Sequence, residues 1–372
     1  MRIVLFCHSL VSDWNHGNAH FLRGVARELL ERGHPLDVFE PRDGWSLRNL
    51  RLDAGEDALL PFSEAYPMLR SHFYEPADID LDAALDDVDL VLVHEWTDAA
   101  LVRRLAEHRR NGARYRLLFH DTHHRSITAP ETIDADALAA FDGVLAFGDA
   151  VRRVYLSRGW VERAWVWHEG ADTSLFRPLA RERHGSLVWI GNWGDDERTR
   201  ELHEFLLEPV RTLRLAATVH GVRYPAEARR ALADAGIAYR GYLPNAWVPE
   251  IFARHHVTVH VPRRPYAQAL PGIPTIRVFE ALACGIPLVS APWDDAEGLF
   301  APGEDFLLAR DGAEMTRHLR LLLNEPDYAA SLAERGRRTI LARHSCGHRV
   351  DELLHICREL GLNDERLPCA AS

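Results

Sequence analysis

The feature that most constrains this chain is a repeated alternation of short, continuously apolar runs with longer amphipathic ones. In the first half "RIVLFCH" precedes "NAHFLRGVARELLERGH", and "LDVFEP" follows. "VDLVLVHEW", "DAALVRRLAEHRRNG" and "YRLLFHD" come next, then "FDGVLAFG", "DAVRRVYLSRGW" and "RAWVWHEG" after a polar break. An apolar run without period-two alternation is buried on both faces, and parallel strands joined by helices bury it in that way. The pattern restarts at "GSLVWIGNW" and continues through "VTVHVPR", "TIRVFEALACG" and "PLVSAPW". Between the halves, "EGADTSLFRPLARERHG" has the Gly, Pro and Arg content of a linker. From Ala313 onward the pattern is helical, whereas residues 42–87, rich in Asp, Pro and Leu, show no clear period. The expected fold class is α/β, with two doubly wound domains facing a cleft. Ligands then belong at the carboxyl ends of the strands.

A chain of 372 residues exceeds one ordinary core, and suits two domains of roughly 150 to 200 residues. Its apolar runs stay under about 12 residues, too short for an integral membrane segment. The N-terminus reads as a buried first strand and not as a signal peptide. Five cysteines (Cys7, Cys284, Cys346, Cys357 and Cys369) are scattered without a CxxC pair. That argues against a disulfide framework or a zinc site and fits a cytoplasmic location. The net charge of −11 leaves no basic footprint for a nucleic acid. None of the 44 basic residues is lysine. A bound phosphate must therefore be held by arginine, helix N-termini or backbone amides.

Four strand-end loops carry candidate chemistry. Gly17 and Asn18 precede a helix, where backbone amides either meet a ligand or simply make a turn; the G-x-G-x-x-G spacing is absent. His120 and Asp121 end an apolar strand and are followed by His123, His124 and Arg125, a polar group at the mouth of a sheet. His120 is a candidate ligand-contacting or catalytic residue, and no third partner marks a metal site. Gly191 and Asn192 open a turn before Arg198 and Arg200. Arginines in a first helical turn oppose the helix dipole, so they either answer a bound anion or are solvated. In "PGIPTIRVFEALACGIPLVS", Gly272, Ile273 and Pro274 lead into a helix beginning near Thr275 and Ile276. Its free amides form an anion site, to which Arg277 adds a bidentate grip. Glu280, three residues on, shares a face with Arg277. It either pairs with that arginine or accepts the two hydroxyls of a ribose, and the combination suits a nucleotide diphosphate.

The stretches "RVFEALACGIPLVSAPW", "GYLPNAWVPEIFARHHVTVHV" and "EGADTSLFRP" resemble the GT-B glycosyltransferases of the retaining group 1 type. The nearest branch is the CgeB-like (spore-protein maturation) one, of which "PGIPTIRVFEALACG" is typical. "HGNAHFLRGVARELLERGH", "VLVHEW" and "ARHSCGHRVDELL" extend the resemblance over nearly the whole chain. It implies an acceptor-side Rossmann-like domain over residues 1–172, a hinge at 173–184, and a nucleotide-sugar-binding Rossmann-like domain at 185–345. Residues 346–372 would return to the first domain. The implied activity is that of a metal-independent bacterial hexosyltransferase without cofactor. Its donor would be a nucleotide-sugar, in the first instance a UDP-sugar, and its acceptor a small molecule, a glycan or a polypeptide.

The resemblance also assigns residues. Glu280 matches the ribose-binding glutamate, Arg198 a phosphate-binding residue and His120 a histidine near the transferred sugar. Gly17 falls in the loop that closes on the diphosphate, and Tyr242 and Leu243 in the turn whose backbone reads the base. Two positions depart from the pattern. A second glutamate is expected eight residues before Glu280, where Gly272 stands, and the basic residue expected after Gly191 is Asn192. Arg277, or Arg263 and Arg264, would replace that charge. In a retaining enzyme the leaving phosphate deprotonates the acceptor; in an inverting one Asp121 or His120 would be the base. A nucleotide-sugar epimerase and a catalytically inactive nucleotide-sugar-binding protein are the alternatives. "DID" and "DAD" lack the strand setting of a metal-binding Asp-x-Asp.

Overall fold

Two parallel sheets account for every strand in the described residues, 1–362, of the computed structural model. Cys369 and the end of the 346–372 segment lie outside those residues. The first sheet contains β1 (Ile3–Phe6), β2 (Leu36–Pro41), β3 (Ser71–Tyr74), β4 (Leu90–His94), β5 (Arg116–Asp121), β6 (Gly143–Ala146) and β7 (Ala164–Val166). The second contains β8 (Gly185–Ile190), β9 (Ala217–His220), β10 (Ile237–Tyr239), β11 (His255–His260), β12 (Leu288–Ser290) and β13 (Leu307–Leu308). Their orders are β3-β2-β1-β4-β5-β6-β7 and β10-β9-β8-β11-β12-β13. In each, the first strand lies inside the sheet and the chain winds outward on one side, then on the other. That reversal opens a crevice at β1/β4 and another at β8/β11, where a doubly wound sheet binds its ligand. The loops read as candidate sites therefore converge for a topological reason.

The segment at 42–87 forms a helix at Trp45–Ala54, another at Leu60–Ala65 and the edge strand β3. Only Tyr74 of β3 is fully buried. An edge strand of four residues exposed in this way leaves no apolar run to read.

A large apolar cluster joins the two halves. It runs from Ile3 and Leu5 through Trp167 and Phe176 to Ile190, Phe279 and Phe306. Three helices assemble it: α1 (Ala19–Glu31), α2 (Ile276–Cys284) and α3 (Cys346–Glu359). In α2 every residue but Arg277 is buried. The start of α3 lies against α1, and Arg32 Nη2 donates to the Gly347 carbonyl at 3.0 Å. The linker is pinned beneath this contact, because the Cys346 amide donates to the Ala171 carbonyl and the Ala171 amide to that of His344, each at 2.8 Å. Trp167 Nε1 donates to the Arg349 carbonyl at 2.7 Å. The close approach requires glycine at position 24, where a Cβ would strike Cys346 Sγ and lie 2.9 Å from Asp172 Cβ. Among the described residues no helix is long and apolar enough to cross a membrane.

Replacing Gly24 with valine should cost about 2 kcal/mol of stability through overpacking. Urea denaturation reads this as a lowered midpoint, and an unchanged midpoint would contradict the packing described.

Candidate active site at the junction of the two sheets

The crevice of the second sheet is lined with arginine. Arg198 Nη1 donates to the Val261 carbonyl at 3.0 Å, and Nη2 to the Asn192 carbonyl at 2.5 Å and to its Oδ1 at 2.6 Å. Its guanidinium carbon lies 5.1 Å from the centre of the Trp189 ring. Among the described residues no carboxylate pairs with it, and Nε has no partner. Burial, with Arg263 and Arg277 nearby, pushes its pKa down to about 9. Arg263 Nη2 reaches the same Asn192 Oδ1 at 3.1 Å, while Arg264 turns away to Glu201 at 3.1 Å. Of the two arginines offered for the charge missing at Asn192, the structure brings Arg263 to the site. Asn192 also donates from Nδ2 to Asn15 Oδ1 of the first half at 2.6 Å.

Arg277 stands at the start of α2, where Thr275 is the N-cap residue without a side-chain cap. The amides of Ile276 and Arg277 make no hydrogen bond among the described residues. Gly17 faces this helix end, since a Cβ there would lie 3.2 Å from Ile276 Cγ2. Thr275 Oγ1 is 3.0 Å from His260 Nε2, which fixes the entry to the helix. Ile273 and Pro274 are buried, and Ile273 packs into the core of the first half.

Glu280 is fully buried. It forms an ion pair with Arg277 through Oε2, while Oε1 accepts from His20 Nδ1 at 3.0 Å and from Asn245 Nδ2 at 2.9 Å. The Asp172 amide donates to His20 Nε2 at 2.8 Å. Nε2 is therefore an acceptor and the ring proton sits on Nδ1, aimed at Glu280. Burial raises the pKa of this carboxyl, but Arg277 and His20 hold it below the usual range. Of the two readings of the Arg277–Glu280 pair, the salt bridge is present, inside a larger junction.

His120 and Asp121 are both buried but lie on opposite faces of β5. The His120 ring packs 4.8 Å from Trp167 and 5.7 Å from Phe21. It lines a small apolar cavity beneath α1 with Leu5, Leu22 and Leu92. Burial pushes its pKa down to about 3. Asp121 accepts from Tyr155 Oη at 2.8 Å and from the His123 amide at 3.0 Å. The expectation that either is a free base in the cleft meets a physical obstacle: one faces core, and the other has both oxygens engaged.

Sequence reasoning missed three neighbours of this rim, His8, His16 and His94. The His8 and His16 rings are 3.9 Å apart, and His94 lies 5.4 Å from His120. Burial pushes His8 down to about 4 and lowers His16 and His94 as well. Histidines at or just after the ends of β1, β4 and β5 were the available signal. Even so, no three His, Cys, Asp or Glu side chains among the described residues have metal-binding geometry.

The remaining predicted positions form the wall between the halves. Tyr242 Oη donates to Asp13 Oδ1, and the Asn245 amide to Asp13 Oδ2 at 3.1 Å. Arg23, fully buried, holds Asp13 at 2.7 Å and the Leu10 and Val11 carbonyls at 2.8 and 3.0 Å. Leu243 packs on the shared apolar cluster. Gly191 accepts from Tyr224 Oη at 2.9 Å. Asn18 Nδ2 lies 2.5 Å from Glu169 Oε1. Gly272, at φ +88°, is covered by Glu297, whose Cγ would lie 2.6 Å from a Cβ there. A carboxylate thus lies beside the position that lacks one. Its oxygens are taken by the Asp149 amide at 2.9 Å and His168 Nε2 at 3.1 Å.

The buried imidazoles give a pH signature. They stay neutral in the fold while free histidines protonate below pH ~6.5, so stability is lost as pH falls from there toward 4. Glu169 acts in the opposite sense: burial pushes it up to about 8, so its contribution declines as pH rises toward that value. The thermal midpoint should peak near pH ~6.5 and fall on both sides, steeply toward pH ~5. Glu169→Gln should flatten the alkaline limb. A midpoint rising steadily from pH ~5 to ~8 with no decline would contradict this balance.

Residues 198–355 match the family described as Glycosyl transferase-like. No curated protein matches the chain. Sucrose-phosphate synthase from Thermosynechococcus elongatus aligns over 97% of this chain and 99% of its own, at 15% identity and a TM-score of 0.66. HepE from Anabaena, solved with UDP and glucose, aligns over 96% and 99%, at 15% identity and a TM-score of 0.67. An alpha-glucosyltransferase solved with UDP and a 13-mer DNA aligns over 96% and 99%, at 12% identity and a TM-score of 0.71. The chain has the GT-B fold of the glycosyltransferases, and much of its second half matches a glycosyltransferase family, in line with the expectation of an enzyme of that class.

Proposed function

We propose that this protein is a glycosyltransferase that takes a sugar from a nucleoside diphosphate donor and needs no metal to do so. The observation that carries the reading is Arg198. A partly buried guanidinium without a carboxylate partner, its pKa pushed down by burial and by Arg263 and Arg277, lowers its free energy when an anion joins it. The unused amides at the start of α2 face the same region. Helix amides and arginines together hold a diphosphate, and they stabilise the negative charge that grows on it as the glycosidic bond breaks. These groups supply the positive charge that a divalent cation supplies elsewhere. UDP in the neighbouring structures favours a UDP-sugar donor.

Asp13, Tyr242 and Asn245 would border the base and ribose. Glu280 already carries His20, Asn245 and Arg277. A ribose reaches it by displacing one of them, and Asn245, whose Oδ1 has no partner, is the group it would meet first. The engagement of Asp121 and the core-facing His120 favour a retaining course, in which the leaving phosphate takes the acceptor proton. The affiliation with the CgeB-like branch is part of this proposal. The acceptor would enter against the first sheet, along the rim of His8, Trp96 and His123.

One observation favours a second reading. Gly272 removes the acid that would contact the sugar, which suits a protein that binds a nucleotide-sugar without turnover. Product analysis with UDP-hexoses and a panel of sugar acceptors separates the two, because transfer to any acceptor excludes it.

Arg198→Met should weaken UDP binding about 10- to 100-fold, the range expected for a lost charge-assisted hydrogen bond. The thermal midpoint without nucleotide should hold or rise, since a buried unpaired charge is removed. Calorimetric titration showing unchanged UDP affinity would overturn the diphosphate assignment.

A further inference from the structure

Seven acidic side chains are buried among the described residues: Glu40, Glu95, Asp121, Glu169, Asp172, Glu280 and Asp305. In six of them both carboxyl oxygens are occupied. Glu40 accepts from Ser9, Leu10 and Val11, and Glu95 from Thr122 and Arg125. Asp121 accepts from Tyr155 and His123, Asp172 from Tyr66 and Ser174, and Asp305 from Ala301 and Thr339. Glu280 is saturated as described above, and so is the partly buried Glu297 beside Gly272.

Glu169 is the exception. Its Oε1 meets Asn18 Nδ2 at 2.5 Å, and its Oε2 has no hydrogen bond among the described residues. Asn18 Oδ1, on the same contact, is buried and also lacks a partner. Leaving such groups unpaired is costly, and buried polar atoms are as a rule satisfied. Asn18 Oδ1 is such an atom, and the unpaired Glu169 Oε2 is on the same contact, where the linker leaves the first sheet. Arg277 and Glu280 are close enough to act on Glu169 electrostatically, and Glu169 acts in turn on Tyr266 of the Arg264–Ala269 helix. Asn18 follows Gly17, which faces Ile276 at the start of α2, so the pair adjoins the arginine-lined diphosphate site.

We infer that Glu169 and Asn18 form the hydroxyl-binding subsite for the transferred sugar, supplying from the linker the carboxyl group that Gly272 does not supply. Where the acid is protonated, one sugar hydroxyl accepts from Glu169 Oε2 and donates to Asn18 Oδ1; where it is ionised, two neighbouring hydroxyls donate one to each oxygen. Glu297 cannot take this part, because its oxygens hold the Asp149 amide and His168. Glu169 contributes by binding and orienting the sugar, and no covalent step is assigned to it. The inference rests on the donor reading given above.

The test is calorimetric titration of the full chain with UDP and with UDP-glucose, UDP-galactose and UDP-N-acetylglucosamine, taking forward the hexose donor that binds best. Glu169→Ala should weaken that donor about 10-fold or more while leaving UDP within about twofold, since the lost contact is to the sugar alone. Asn18→Ala should act in the same direction. Glu169→Gln keeps the side-chain volume and serves if the alanine variant does not fold; it should weaken the donor less than Glu169→Ala does. Equal losses for UDP and the hexose donor, or no loss for either, would overturn the subsite. Failure of the unsubstituted protein to bind UDP or any of the three donors would instead overturn the donor reading, and the subsite with it.

Discussion

The arrangement of the two sheets depends on one buried carboxylate. Glu280 lies where water does not reach, and an ionised group there is tolerated only when paired and hydrogen-bonded. Its partners come from three separate places: His20 on α1, Asn245 on the turn after β10, and Arg277 one turn earlier in α2. His20 is itself oriented by the Asp172 amide of the linker. A single side chain thus ties the first half, the linker and the second half to one point. Removing one partner from such a group costs on the order of 3 to 5 kcal/mol, more than most apolar contacts can restore. The surrounding apolar cluster supplies adhesion, while the carboxylate sets which residues face each other across the cleft.

Much of the fold was legible because burial on both faces of a strand leaves an unbroken apolar run. β1, β4 and β11 announce themselves in that way, and the restart of the pattern marks the second sheet. β3 does not, since its exposed edge position imposes no pattern. The candidate site was legible in proportion to how local its logic is. The arginine of an early helical turn and the free amides before α2 are local features, and the structure brings Arg198, Arg277 and Gly17 to one region. The distinction between Arg263 and Arg264 is not local, because it depends on which way adjacent side chains leave a turn. Nor could the sequence tell that Asp121 serves Tyr155 from a helix nearly thirty residues on, or that His120 faces the underside of α1. A polar residue at a strand end reads alike on either face. Glu169 belongs to a stretch noted for its linker composition and its family resemblance, with no role read for the acid itself, and its distinction is an oxygen left without a partner.

The absence of lysine shapes the electrostatics of the cleft. Arginine keeps its charge through a wide range of environments and holds carbonyl and carboxamide oxygens in fixed directions. Arg198 and Arg263 use this by sharing Asn192 Oδ1, so two cations are brought together by one neutral acceptor. Lysines placed there would lose charge more readily on burial. Among the described residues Arg198 is thereby held without a carboxylate partner, while Arg263 pairs with Glu197 at 3.2 Å and Arg277 with Glu280.

Gly272 and Glu297 hold a consequence for how this protein can change. The left-handed backbone at Gly272 already disfavours any side chain, and the space above it is filled by Glu297, which also caps the amide of Asp149 across the cleft. An acid introduced at 272 by one substitution would therefore both strain the backbone and push aside a contact between the two halves. Positions 272 and 297 compete for one volume, so a carboxylate carried by the first calls for a smaller residue at the second. The cleft accepts one acid there, and the one present is spent on holding the two halves together.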